Sequence, residues 1–178
     1  MRVFIALNLS KETIKEIGKI QKTLEKEGLF LGKLTELKNL HLTLKFLGEI
    51  DESKLKEVEK RLEEIKFPDF NCSLGALGVF SENFIKIIWI ELTGAEELQK
   101  IIDESLKGIF ETESRFMRHV TLARVKKVVN KELLIEKLKK IKVKETEFNV
   151  KAFYLMKSEL SEKGPIFDVI KEYSLESI

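Results

Sequence analysis

Leu40-His41-Leu42-Thr43-Leu44-Lys45-Phe46-Leu47-Gly48 and Phe116-Met117-Arg118-His119-Val120-Thr121-Leu122-Ala123-Arg124 share one pattern: histidine, threonine two residues later, leucine three residues later. These stretches hold the chain's two histidines, and threonine occurs only eight times in 178 residues, so the double match is not a chance one. Both runs are apolar and β-prone and read as strands. Side chains alternate across a strand, which puts His41 and Thr43 on one face and Leu42, Leu44 and Phe46 on the other. Phe46 is therefore expected in the core. His119 and Thr121 share a face in the same way, opposite Val120 and Leu122. Each strand offers one imidazole and one hydroxyl on its polar side.

The rest of the chain reads as scaffold for these two strands. Residues 2–9 form a buried opening strand. Ser10 then caps a helix with Ile14, Ile17, Ile20 or Gln21, and Leu24 on one side, ending at Gly28. A loop containing Gly32 leads to the first histidine strand, and Asp51 caps a second helix bearing Leu55, Val58, Leu62 and Ile65. Residues 70–79 and 84–92 suggest a hairpin joined by Ser81-Glu82-Asn83. Thr93-Gly94-Ala95-Glu96 has capping-box form, followed by a helix running through Leu98, Ile101, Ile102 and Leu106 to Ile109. Asn130 caps a fourth helix. Residues 146–157 form a further strand, Gly164-Pro165 a turn, and 166–174 the last strand. The histidines lie 78 positions apart, and the element pattern recurs from about residue 84. Such a repeat predicts two similar lobes, helices outside, with the polar faces of the two histidine strands opposed across a groove.

Composition narrows the function classes. A chain of 178 residues, 43% hydrophobic, suits a single domain spanning 1–178 with a sizeable core. The net charge of +2 argues against a global polycation, so any nucleic-acid surface must be local. The single cysteine, Cys72, allows no internal disulfide and suits a reducing compartment. No apolar run approaches a membrane span, and the short opening apolar run does not resemble a signal segment. A soluble, cytoplasmic protein is expected.

Histidine gives or takes a proton near neutral pH without a large pKa shift. Two of them across a groove suit the two ends of an in-line displacement at phosphorus, one activating the attacking oxygen and one protonating the leaving oxygen. Threonine hydroxyls can donate to the non-bridging oxygens as charge develops. Such a set needs neither a metal nor a cofactor. A zinc site built from both histidines with Cys72 or a carboxylate is weaker, because no metal-binding spacing is present. No phosphate-cradling glycine loop, nucleophile elbow or catalytic-cysteine signature appears.

HLTLKFLG at 41–48, HVTLAR at 119–124 and the opening RVFIALNLS together resemble the two-histidine (2H) phosphoesterase superfamily. Within it the match is to the RNA 2′,3′-cyclic phosphodiesterases, also called LigT-like 2′-5′ RNA ligases. The resemblance covers essentially the whole chain. It implies a bilobal α+β fold with two sheets lining a groove, and metal-free hydrolysis of RNA 2′,3′-cyclic phosphate ends to 2′-phosphates. It also implies reversible 2′-5′ joining of tRNA halves in some members. By the resemblance, His41 donates the proton to the leaving 3′ oxygen, His119 activates water, and Thr43 and Thr121 hold the phosphate. The expected partner is an RNA carrying a cyclic phosphate end, acted on by a monomer. Proline often precedes the second histidine in the family; here Arg118 does, a candidate substrate contact. Arg124 matches the family's terminal arginine and is a second candidate, although strict alternation turns it away from His119 unless the strand bulges. Phe80, Phe84, Trp89, Phe116 and Tyr154 are candidates for base stacking, with core packing the competing role. Two alternatives stand beside this: an RNA-binding module without turnover, and a phosphodiesterase for small cyclic nucleotides.

Overall fold

A computed structural model describes residues 1–176. These form nine strands, four α-helices and one short 3-10 turn. In order they are β1 (Arg2–Asn8), α1 (Lys11–Glu27), β2 (Phe30–Leu34), the turn Leu37–Asn39, β3 (His41–Glu49), α2 (Glu52–Glu63), β4 (Phe70–Val79) and β5 (Ile87–Thr93). Then follow α3 (Glu96–Ser105), β6 (His119–Val128), α4 (Lys131–Lys140), β7 (Glu147–Val150), β8 (Ala152–Ser161) and β9 (Gly164–Ser174). The strands make two antiparallel sheets, ordered β3-β1-β8-β9 and β2-β6-β5-β4-β7, one for each lobe of the expected α+β fold. Each sheet takes strands from both halves of the chain, so the lobes interleave.

Local chemistry sets the helix starts. The side chains of Ser10, Asp51 and Asn130 accept from the backbone N–H of Thr13, Lys54 and Leu133, each cap contributing roughly 1 kcal/mol. α1 buries Ile17, Ile20 and Leu24, α3 buries Leu98 and Ile102, and the inner sheet faces supply Leu42, Leu44, Ile88, Ile90, Val120 and Leu122. Each fully buried aliphatic side chain stabilises the fold by roughly 1.5–3 kcal/mol.

Several expectations are corrected. The lysine-bearing segment around Gly32 is the edge strand β2, and it approaches β6 so closely that a Cβ on Gly32 would lie 2.1 Å from the Arg124 carbonyl oxygen. Thr93 ends β5 and donates its hydroxyl to the Ser73 carbonyl instead of capping α3, whose cap position is Ala95; Glu96 alone keeps the capping role by accepting from Gly94 N–H. α3 stops at Ser105, short of Ile109. Residues 80–86 are a longer connection than a tight hairpin turn, and β5 begins at Ile87. The strand expected at 146–157 is two strands in different sheets, β7 pairing with β4 and β8 with β1. The sequence carries that break, since the buried positions shift from Val150 to Phe153 and alternation loses phase.

The histidine strands themselves depart from strict alternation. In β3, Thr43 pairs with Ala6 and Lys45 with Ile5, leaving Leu44 as an extra residue. In β6, Thr121 pairs with Trp89 and Ala123 with Ile88, leaving Leu122 extra. A bulge inverts alternation beyond it. Lys45 therefore turns inward and Phe46 turns out, 74% exposed, against the expectation that Phe46 is core. In β6 the same inversion buries Ala123 and turns Arg124 onto the face of His119 and Thr121.

Candidate active site

β3 and β6 bring their polar faces together at the junction of the two sheets, His41 and Thr43 from one and His119, Thr121 and Arg124 from the other. The threonines and both imidazoles are half-buried, whereas Arg124 is exposed. His41 Nδ1 lies 2.7 Å from the Asn39 carbonyl oxygen, and His119 Nδ1 lies 2.8 Å from that of Met117. A carbonyl only accepts, so Nδ1 carries the proton in both rings and Nε2 is left to work in the groove. His41 Nε2 lies 3.0 Å from the Thr43 hydroxyl, which donates to it when the ring is neutral.

Burial pushes the His41 imidazole below its ordinary value of 6.5; the bond to Asn39 opposes this, and the charges of His119 and Arg124 push it further down. Burial likewise lowers His119, with the bond to Met117 opposing. His119 and Arg124 thus each lie within electrostatic reach of His41. Both rings are consequently neutral near pH 7 and become stronger acids once protonated.

The two walls differ in character. Cross-strand partners share a face, so the histidine side of the second sheet carries Glu91 opposite His119, Trp89 opposite Thr121, and Lys33 opposite Arg124. Trp89 lies flat because Gly78 leaves room beneath it; a Cβ there would sit 2.6 Å from the indole ring. The first sheet's wall is aromatic. Phe4 and Phe167 flank His41 at 5.1 and 5.2 Å between ring centroids, and Phe46 packs against Phe4 at 6.2 Å. Phe80 meets His119 edge-on at 4.9 Å. A pocket of about 410 Å³ opens beside His119, lined by Arg118, Glu91, Trp89 and Phe116 among others. At one end the β8–β9 hairpin reaches the second lobe, where Lys33 Nζ donates to the Lys163 carbonyl.

Arg118 lies beside His119 but is engaged by carboxylates, 2.8 Å from Glu96 and 3.6 Å from Glu91. Of the stacking candidates, Phe84 and Phe80 are exposed, while Trp89, Phe116 and Tyr154 are half-buried. Phe4, Phe46 and Phe167 were not among those candidates. A signal for Phe46 existed: it stands at the same offset from His41 as Arg124 does from His119. Cys72 is buried on β4, and desolvation raises its thiol to about 12. Among the described residues no group of three or more His, Cys, Asp or Glu side chains gathers in a metal-binding cluster.

The family model described as LigT like Phosphoesterase matches residues 7–89 and 92–167. A Methanocaldococcus jannaschii protein named RNA 2′,3′-cyclic phosphodiesterase is 38% identical, the match covering 97% of this chain and all of that one. A Thermotoga maritima protein of the same name is 33% identical over 99% of this chain and 96% of its own length. A solved structure from Thermus thermophilus superimposes with a TM-score of 0.81 at 24% identity over 99% of each chain, a likeness of fold. With nearly the whole chain matched at this level, the protein belongs to the LigT-like phosphoesterase family.

Proposed function

We propose that the groove opens the 2′,3′-cyclic phosphate ends of RNA to 2′-phosphates by acid–base catalysis between two histidines. The observation that carries this is the matched pair of His-x-Thr strands, with bulges at the same offset and both imidazoles presenting Nε2. His119 accepts a proton from water as its oxygen attacks phosphorus. The P–O3′ bond breaks, and His41, protonated beforehand, gives its proton to O3′. The products are a 2′-phosphomonoester and a 3′-hydroxyl, and the two rings return to their starting states by exchange with solvent. Roles are assigned this way round because His119 borders the open pocket through which water can arrive. His41 is depressed by burial, His119 and Arg124, which strengthens it as an acid once charged. Thr43 and Thr121 donate to the non-bridging oxygens, and Arg124 offsets their charge. The aromatic wall suits a nucleoside, with Phe46 exposed as a stacking platform. The names of the relatives support RNA as the substrate class.

A 5′-hydroxyl of a second RNA, such as a tRNA half, can replace water with the same proton carriers, giving a 2′-5′ linkage reversibly. All the residues invoked come from one chain, consistent with a monomer. The test is product analysis with a short RNA ending in a 2′,3′-cyclic phosphate, beside the same RNA with a linear 3′-phosphate. A 2′-phosphate from the first and no change in the second is expected. A 3′-phosphate product, or no ring opening, would overturn the proposal.

A further inference from the structure

Both histidine strands are gripped at their bulges by buried polar groups from the other half of the chain. Gln21 on α1 is 4% exposed. Its amide nitrogen donates to the carbonyl of Leu122, the extra residue of β6, at 3.0 Å, and to the carbonyl of Thr35 at 2.8 Å. Thr35 N–H also donates to Leu122 O at 2.9 Å. Thr35 begins the segment that runs through Asn39, the acceptor for His41 Nδ1, into His41 itself. The second grip mirrors the first. Lys45, turned inward by the bulge of β3, pairs with Asp103 of α3 at 2.5 Å and donates to the Glu111 carbonyl at 2.7 Å. Asp103 also accepts from Glu113 N–H at 2.8 Å. Residues 111–113 begin the segment that runs through Met117, the acceptor for His119 Nδ1, into His119.

Building on the function proposed above, we infer that Gln21 and the Lys45–Asp103 pair are positioning residues for the two-histidine reaction. Each grip ties the bulge of one histidine strand to the segment that leads into the other histidine, so together they set the span between the two imidazoles. Neither grip touches the groove. Their chemistry is suited to this role because buried polar groups tolerate few alternative geometries, whereas apolar packing slides. A reaction that needs an acid and a base on opposite sides of one phosphorus is sensitive to that span, since a misplacement of about 1 Å can cost on the order of 100-fold in rate.

The test uses Gln21→Met and the double variant Lys45→Met/Asp103→Leu, both chosen to keep volume and to leave no unpaired charge. Unfolding measurements first establish which variants are as stable as wild type. On RNA cyclic phosphate, kcat is expected to fall about 10-fold or more, within the range that misplacement produces, while KM changes little. The two histidine ring signals, separable by NMR because the chain has only two, are expected to shift in both variants although neither substitution contacts a ring. Unchanged kcat in a double variant as stable as wild type would overturn the inference. Should wild type itself open no cyclic phosphate, the proposed function falls alone. The ring signals then decide the positioning role: shifted signals support it, and unchanged signals overturn it.

Discussion

Asp103→Leu isolates the energetics of the buried ion pair. Lys45 is 7% exposed and Asp103 9%, so the substitution strands an ammonium whose one remaining partner among the described residues is the Glu111 carbonyl. Breaking a buried pair by removing one member costs about 3–5 kcal/mol, because the surviving charge is neither hydrated nor compensated. For a chain of this size, that corresponds to a fall in Tm of about 6–20 °C. Lys45→Met leaves the opposite orphan, a carboxylate that keeps Glu113 N–H as its partner among the described residues, and a similar loss is expected. The double variant removes both charges and should return to within about 1 kcal/mol of wild type or exceed it, as apolar replacements of buried pairs often do. Urea unfolding followed by the fluorescence of the lone tryptophan, Trp89, closes the double-mutant cycle. Single losses that simply add in the double variant, or an Asp103→Leu as stable as wild type, would refute the picture of a coupled, desolvated pair.

Other outcomes follow from the groove. Both imidazoles have folded pKa values below the ordinary 6.5, so the unfolded chain takes up protons first as pH falls. The histidines' share of stability should therefore drop below pH 6.5, by at most about 1.4 kcal/mol per pH unit for each ring, and level off below their folded values. His41→Ala should remove that ring's share; a wild type that gains stability relative to this variant on acidification would contradict the burial described. Arg124→Met, which takes away the cation facing His41, should lower kcat/KM by about 100-fold while leaving Tm unchanged. Phe46→Ala should weaken RNA binding by about 1–3 kcal/mol, read as a raised KM, without loss of stability because the ring is already solvent-exposed.

Much of the site was legible because its chemistry is written in residue types that are scarce here: two histidines, each followed by threonine at the same offset. The helix caps at Ser10, Asp51 and Asn130 were legible for a similar reason, as each is a short polar side chain just ahead of an apolar periodic run. The bulges were not. Strict alternation buried Phe46 and turned Arg124 away, since an inserted strand residue is defined by its pairing partner and no propensity marks it. One clue lay in Lys45, a charged residue in an otherwise apolar run. It is accommodated inward only because Asp103, 58 residues away in sequence, meets it. The backbone carbonyls that fix both imidazoles were equally hidden, as any residue at positions 39 and 117 supplies one. The division of 146–157 between two sheets was encoded as a phase break at Lys151, masked by the continuous β-prone composition.

The most direct measurement compares wild type with His41→Ala and His119→Ala on a short RNA ending in a 2′,3′-cyclic phosphate, in excess EDTA. Ring opening to a 2′-phosphate by wild type is expected, with each substitution lowering kcat by about 10²–10⁴-fold. Turnover that survives either substitution, or that EDTA abolishes in wild type, would contradict a reaction carried by these two imidazoles.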